Sequence, residues 1–249
     1  MPPDYKGITK MNRFVSRFLQ LMLGISLLFV FASAPASAAA KVPVNLRVVT
    51  YKGAILYDGI AKAGTSKIKP NSSCLGGSAG KARTVTGPTA LGAIADATAR
   101  SAALRPFKIS DGDFGFGICG FGKNVVKDEN WWVFKYQHKS SMTGTEVTRI
   151  REGSDVLLYL AKSYNETTPE ELVLEAPSMV RRNATVKVRV FAYNDQGKRK
   201  PVEGAKVSGT KALTNARGYS TVTVTRKTRL IARSNGTIPS NRAVIGIRK

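Results

Sequence analysis

The sequence contains one histidine, His138, and two cysteines, Cys74 and Cys119, among its 249 residues. A zinc site with four Cys and His ligands cannot be built from so few such side chains in one chain. A nucleophile system of the Ser-His-acid or Cys-His type would have to use His138, which we expect to be an exposed loop residue. Acidic residues are also scarce, with 16 against 39 lysines and arginines, so the formal net charge is +23. This excess attracts anions such as nucleic acids, acidic polysaccharides or anionic lipid, and it selects none of them.

Long apolar runs are absent beyond the N-terminal segment. There, Leu21–Ala32 follows two arginines and precedes the small residues Ala34–Ala38. This order predicts a secretory signal peptide over residues 1–38, and Met11 is an alternative start. The run is about half as long as a helix that crosses a bilayer comfortably, although an uncleaved membrane helix is the alternative. We therefore expect a secreted or cell-surface protein, cleaved near Ala38, with no stable membrane span afterwards.

The charge is unevenly distributed along the remaining chain. Residues 39–171 hold 18 basic and 12 acidic side chains, whereas residues 172–249 hold 17 and 3. This asymmetry predicts two modules. We place a first module at residues 39–164 and a second module at residues 172–249. The polar, proline-containing segment at residues 165–171 is the expected linker.

The two cysteines predict a disulfide. In an exported protein an even number of cysteines favours oxidation. A bond between Cys74 and Cys119, which are 45 positions apart, would stabilise the fold by about 4 kcal/mol in the chain-entropy model. It would join a loop rich in Gly and Ser to an apolar strand. Two unpaired thiols are the alternative.

The first module has the pattern of strands with a single helix. Val44–Tyr51 and Ala54–Tyr57 predict a hairpin, and Ala90–Ala103 repeats its apolar residues at helical spacing, with Thr89 available as the N-cap. Further short segments rich in aromatic and β-branched residues predict strands at Phe107–Ile109, Phe114–Cys119, Trp131–Tyr136 and Val156–Leu160. We expect a mainly β protein whose first module is α+β, a small sheet with one packed helix.

The second module alternates apolar and polar residues throughout. Val186, Val188 and Val190 share one face of a strand, and similar pairs and triplets recur at Ala205 and Val207, at Val222 and Val224, and at Ala243, Ile245 and Ile247. The stretches Asn194–Gly197 and Asn215–Gly218 are typical of turns. This spacing predicts a β-sandwich.

The order of several motifs carries a resemblance to a family. After the helix come Phe114–Ile118, the double tryptophan of Trp131–Tyr136, and Ile150–Val156 with its Glu-Gly-Ser-Asp-Val turn. Residues 44–164 resemble the transcobalamin-like C-terminal domain of bacterial exported proteins. The resemblance implies a corrinoid as a small-molecule ligand. Where that family has an Asn-Gly turn, this chain has Gln-His after Tyr136.

The second module carries its own resemblance. Pro201–Val207 and Leu213–Val222 are similar to bacterial Ig-like repeats and to carboxypeptidase regulatory-like modules. Such modules are stalks and adhesion units of exported proteins. The resemblance therefore implies an Ig-like sandwich that binds without catalysis.

Two sets of residues are binding candidates. The aromatic strand offers ligand-binding side chains at Trp131, Trp132, Phe134 and Tyr136, for which core packing is the alternative. The second module offers polyanion-binding side chains at Arg181, Arg182, Lys198, Arg199, Lys200, Arg226, Lys227, Arg229 and Arg233. The alternative for these cations is that they blunt strand edges and keep the module soluble.

Together these patterns predict a non-catalytic, secreted binding or adhesion module. We expect it to associate with anionic cell-wall or extracellular polymers, or with another surface protein, and we expect no cofactor, no metal and no nucleic acid partner. The first alternative is a small-molecule binding protein with a corrinoid-like ligand. The second is a hydrolase that uses a carboxylate pair such as Asp111 and Asp113.

Overall fold

The computed structural model of the chain describes residues 40–248, and these contain twenty β-strands, one α-helix and one short 3-10 helix. The prediction of a mainly β protein with one packed helix is confirmed. The predicted signal peptide at residues 1–38 and its cleavage site lie outside the described residues. Within the described part, no helix combines the length and the apolar character that crossing a membrane requires.

The elements of the first half of the chain are β1 (Val42–Val49), β2 (Ile55–Ala63), β3 (Ser66–Ile68), β4 (Arg83–Val85), α1 (Ala90–Arg100), the 3-10 helix (Ala102–Leu104), β5 (Phe107–Gly112), β6 (Gly115–Phe121), β7 (Asn124–Val125), β8 (Trp131–Tyr136), β9 (Lys139–Ser140) and β10 (Asp155–Ala161). Those of the second half are β11 (Glu170–Glu175), β12 (Met179–Val180), β13 (Ala184–Tyr193), β14 (Arg199–Pro201), β15 (Lys206–Val207), β16 (Tyr219–Val224), β17 (Thr228–Leu230), β18 (Ala232–Arg233), β19 (Thr237–Ile238) and β20 (Ala243–Ile247). β11 thus begins inside the segment predicted as a linker.

Five strands from the first half of the chain form one sheet, which we call sheet 1. Their order is β2, β1, β10, β8 and β9. β1 and β10 are parallel, and the other pairs are antiparallel. Because side chains alternate along each strand, Val44, Leu46 and Val48 of β1 point to one face and Arg47 and Val49 to the other.

The first face of sheet 1 packs against α1. Thr89 caps the helix by accepting a hydrogen bond of 3.1 Å from the backbone N–H of Gly92, which confirms the predicted N-cap. Ala93, Ile94 and Ala97 then bury the inner side of the helix in the main core on this face of sheet 1. The two alanines leave room for the helix to lie against the sheet, and Ile94 supplies the larger apolar side chain of the contact.

The predicted disulfide is present. Cys74 and Cys119 are bonded, with their Cα atoms 5.7 Å apart. Cys119 lies in β6, and Cys74 lies in the loop between β3 and β4, so the bond joins this loop to the β5–β6 hairpin. The hairpin in turn contributes Phe121 to the core beside Trp132, with the two rings edge to face at 4.9 Å.

The second sheet, sheet 2, has the order β14, β13, β11 and β19, with β16 also paired to β13. The predicted alternation is realised here, since Val188 and Val190 of β13 are buried in one core with Val222 and Val224 of β16. Strands β12, β15, β17, β18 and β20 cover that core from the other side. Gly197 and Gly218 adopt positive φ in the two predicted turns.

The second face of sheet 1 is covered by residues of the second half of the chain. Val49, Val133, Leu157 and Tyr159 form an apolar cluster with Ile238 of β19. Sheet 1 is therefore buried on both faces. We call the contact between sheet 1 and the second half of the chain the seam. Outside the apolar cluster, polar side chains dominate the seam.

Candidate functional site

Arg47 is the central polar residue of the seam. It lies on β1, on the face of sheet 1 opposite the helix, and its side chain is only 7% exposed. One guanidinium nitrogen donates hydrogen bonds to the carbonyl oxygens of Leu172, at 3.0 Å, and of Pro239, at 2.7 Å. The other forms an ion pair with Glu171. A single side chain thus connects sheet 1 to two segments of the second half.

The carboxylate of Glu171 is 2% exposed. Burial acts to raise its pKa, but the charge of Arg47 and a hydrogen bond with His138 outweigh burial and leave the pKa below its ordinary value. Oε1 receives both contacts, whereas Oε2 is buried without a hydrogen-bond partner. The surroundings of Glu171 therefore favour its charged form.

His138 lies in this cluster and not in a free loop. The β8–β9 turn has positive φ at both central residues, 50° at Gln137 and 65° at His138. Type I′ hairpin turns require positive φ at both central residues, and residues other than glycine adopt it at an energetic cost. The ring of His138 lies between both halves of the chain: Nδ1 is 3.1 Å from Glu171 Oε1, Nε2 is 3.6 Å from Asp155 Oδ2, and the ring stacks on Tyr193 with centroids 4.0 Å apart. The side chain is 16% exposed, so the expectation of an exposed His138 was wrong.

Lys135 adds a second buried ion pair to the seam. Its ammonium group, on β8, lies 2.9 Å from Asp195 Oδ1, and the lysine side chain is 1% exposed. The ammonium makes no well-directed hydrogen bond, so the contact is chiefly ionic. Asp195 is also held by Ser140, whose hydroxyl donates to Oδ1 at 2.7 Å. The hairpin after β8 is thereby fixed to the hairpin after β13.

A cleft of about 1250 Å³ opens along the seam, and we call it the seam cleft. Ionisable side chains line it, namely Arg47, Asp58, His138, Asp155, Glu171, Arg229 and Arg242. Burial raises the pKa of Asp58, against a hydrogen bond from the backbone N–H of Arg242 and the charge of Arg47. Three arginines and three carboxylic acids line the cleft, so positive and negative groups are equal in number there. Across residues 40–248, no group of three or more His, Cys, Asp and Glu side chains is placed to hold a metal ion.

A second, smaller depression lies at another part of the seam. It has a volume of about 590 Å³, and we call it the cationic groove because its charged lining residues are Lys52, Lys206 and Arg233. Tyr51 and Tyr159 also line it, as do Ser234, Asn235 and Thr237. No carboxylate is among its lining residues. The guanidinium of Arg233 donates to the carbonyl oxygen of Gly53 at 2.9 Å, which joins the two halves of the chain at this point.

The four aromatic candidates are placed differently from one another. Trp132 and Phe134 are buried in the main core on the helix side of sheet 1. Tyr136 is half-buried, and its hydroxyl lies 3.2 Å from that of Ser154. Trp131 is 40% exposed at the start of β8. The strand therefore presents one accessible ring, and the alternation expected from its sequence puts the other three on the core side.

All nine predicted polyanion-binding residues are exposed, and they fall into separate groups. Arg181, Arg182, Arg226 and Lys227 lie in two neighbouring turns at the Ala184 end of β13. Lys198, Arg199 and Lys200 lie at its Tyr193 end, about 30 Å away at the rise of an extended strand. Arg199 pairs with Glu175 at 3.2 Å, and Lys200 pairs with Glu170 at 2.9 Å. Arg229 and Arg233 line the seam cleft and the cationic groove.

The carboxylates considered for hydrolysis do not face a cleft together. Asp111, on β5, forms an ion pair of 2.5 Å with Arg83. Asp113 is exposed in the β5–β6 turn. Neither residue lines the seam cleft or the cationic groove.

The sequence reasoning missed the charged seam. In a strand that alternates apolar and polar residues, the polar positions ordinarily face solvent. Such positions are occupied by Arg47, Lys135 and Glu171. One signal was present: the run Val156–Leu160 is continuously apolar, and such runs are typical of strands buried on both faces. Because β10 is central in sheet 1, that run implies that its neighbours' polar residues are buried too.

Comparison of the chain with protein-family models, with curated proteins and with solved structures finds no match.

Proposed function

We propose that the protein is an exported, non-catalytic binding module that attaches to anionic polymers of the cell surface through its second half. The observation that carries this proposal is a set of four exposed cations, which we call the distal basic edge: Arg181, Arg182, Arg226 and Lys227. Among residues 40–248, none of the four forms an ion pair.

Two turns bring these cations together. Asn183 donates its backbone N–H to the carbonyl oxygen of Val224 at 2.8 Å, and Ala184 is paired with Val224. The turn that precedes β13 is thereby held beside the turn that follows β16. Four positive charges on adjacent exposed turns produce a local potential that attracts a polyanion.

Neutralising carboxylates are scarce around this edge. Residues 172–249 hold three acidic side chains, Glu175, Asp195 and Glu203. Asp195 pairs with Lys135 of sheet 1, and Glu175 pairs with Arg199. The structure therefore commits two of the three to other cations, and the positive charge of the edge stays available to a partner.

Retention on purified cell walls across a salt series tests the proposal. Binding should weaken steeply as ionic strength rises, because exposed charges are screened over about 8 Å at physiological salt. The variant Arg181→Glu/Arg226→Glu should elute at markedly lower salt than the wild type. A matched control is Lys81→Glu/Lys123→Glu, which makes the same change of net charge at exposed positions of the first module.

Two results would contradict the proposal. Retention that does not respond to salt would exclude the charge mechanism. An equal loss in the control variant would show that net charge matters and that the distal basic edge does not.

A second candidate function is small-molecule binding, as the transcobalamin-like resemblance implies. The seam cleft favours it, because a volume of about 1250 Å³ between two packed layers is sufficient for a large ligand. Titration with cobalamin, followed by the absorbance of the corrin, tests this candidate directly. A spectral change that saturates and is lost in Arg242→Glu would support it, and an unchanged spectrum would exclude it.

A further inference from the structure

We propose that the cationic groove is a binding site for an acidic sugar residue of an anionic polysaccharide. This inference concerns a discrete pocket at the seam and not the distal basic edge, so it does not depend on the function proposed above. It rests on three features of the groove: an unrelieved pair of like charges, an exposed aromatic ring, and polar side chains suited to hydroxyl groups.

The like charges are Lys206 and Arg233. These residues are direct cross-strand partners in the antiparallel pair of β15 and β18. Directly opposite side chains have Cβ atoms about 5 Å apart, and like charges in such pairs destabilise a sheet. Both residues are exposed, and Lys52 adds a third cation from the β1–β2 turn. Since no carboxylate lines the groove, an external anion would relieve this repulsion.

The geometry also fixes one of the cations. Arg233 donates to the carbonyl oxygen of Gly53, so its guanidinium is held across the groove and not free in solvent. A guanidinium has five N–H donors in a planar fork, and this contact leaves others for a carboxylate or a sulfate. Arg233 therefore acts as the oriented anchor of the site, and the two lysines supply adaptable charge.

The second feature is Tyr51, which is 43% exposed and lines the groove. The ammonium of Lys52 lies 5.6 Å from its ring centroid. An exposed ring of this kind offers an apolar face on which the C–H side of a sugar can pack. Ser234 and Asn235 supply a hydroxyl and an amide for the sugar hydroxyls, whereas the Thr237 hydroxyl already donates to the carbonyl oxygen of Ser234 at 2.8 Å.

These features favour an acidic sugar over a nucleic acid. Single-stranded nucleic acids are bound by grooves in which several aromatic rings stack successive bases. The cationic groove has one exposed ring, because its other aromatic residue, Tyr159, is 6% exposed. One ring, three cations and small polar side chains match a single charged sugar unit.

Calorimetric titration of the mature chain with trigalacturonate tests the site, since this short probe is too small to require the distal basic edge. Lys206→Glu is the informative variant. It places a carboxylate opposite Arg233, which removes the like-charge repulsion, so thermal stability should be kept or raised. Binding should nevertheless weaken by about tenfold or more, as for the loss of a hydrogen bond to a charged group. Tyr51→Ala should weaken it several-fold.

Lys211→Glu is the matched control, because it makes the same charge change at an exposed position outside the groove. Several outcomes would overturn the proposal: no binding of trigalacturonate by the wild type, an equal loss in Lys211→Glu, or tighter binding of a thymidine trinucleotide. Equal binding of the neutral sugar maltotriose would also overturn it. Loss of cell-wall retention in the Arg181→Glu/Arg226→Glu variant, with trigalacturonate binding intact, would separate this site from the distal basic edge.

Discussion

Replacing Arg47 by methionine is the perturbation that most directly tests the account of the seam. Methionine keeps an unbranched apolar stem and removes the guanidinium. The carbonyl oxygens of Leu172 and Pro239 lose their donor, and Glu171 loses the cation that lowers its pKa. Removing one partner of a buried ion pair costs about 3–5 kcal/mol, because the remaining charge is left buried. We expect Arg47→Met to reduce the free energy of unfolding by that amount.

The measurement is urea unfolding followed by tryptophan fluorescence, with thermal unfolding alongside. A loss of 1 kcal/mol lowers Tm by about 2–4 °C in a protein of this size, so the expected decrease is about 6–20 °C. Adding Glu171→Leu to Arg47→Met removes the stranded carboxylate. The double variant should therefore be more stable than the sum of the two single losses indicates, and the cycle gives the coupling energy of the pair.

Lys162→Met is the control for loss of a surface ion pair. Lys162 lies 3.7 Å from Glu166, and both side chains are more than half exposed. Such pairs contribute about 0–1 kcal/mol. A destabilisation of Arg47→Met no larger than that of Lys162→Met would show that the contacts of Arg47 do not hold the seam.

The pKa of Glu171 lies below its ordinary 4.5, so its contribution to stability is complete above that value and is lost as the pH falls through the lower folded value; urea midpoints between pH 3 and 7 should fall less steeply in Glu171→Gln than in the wild type. Replacing both Cys74 and Cys119 by alanine should cost about 4 kcal/mol in the same assay, and a loss below 1 kcal/mol would show that the closed loop contributes little. Gln137→Asn should stabilise the chain by up to about 0.5 kcal/mol, because asparagine adopts positive φ more readily and the side-chain hydrogen bond that is lost, 3.4 Å from the backbone N–H of Asp155 to Gln137 Oε1, is weak and exposed; a lower Tm in calorimetry would contradict this.

Local patterns predicted the elements of the fold well. Val188 and Val190 are buried on one face of β13 because alternation with a period of two is a property of the strand itself. Thr89 caps α1 because the cap requires a side-chain oxygen only three residues from its donor. The disulfide was also predictable, since only two cysteines are present and the expected export would favour their oxidation.

The seam could not be predicted in the same way. Whether Arg47 faces solvent or a second layer depends on residues more than 120 positions away, such as Glu171 and Pro239. The same holds for His138, whose ring is placed by Glu171 and Tyr193. Contacts of this kind arise from the packing of two layers, and a strand pattern contains no information about the partner of its polar face.

The candidate sites follow from how the chain distributes its charges between the seam and the surface. The seam uses carboxylates of the second half to pair cations of the first, with Glu171 facing Arg47 and Asp195 facing Lys135, because buried charges require partners. Residues 172–249 contain few other acids, so their cations have little to pair with inside the chain. Lys206 and Arg233 even stand opposite each other on adjacent strands. The ion pairs of the seam thus use carboxylates that could otherwise neutralise cations on the surface. The surface cations are left without partners inside the chain, so we expect their partner to be an external polyanion.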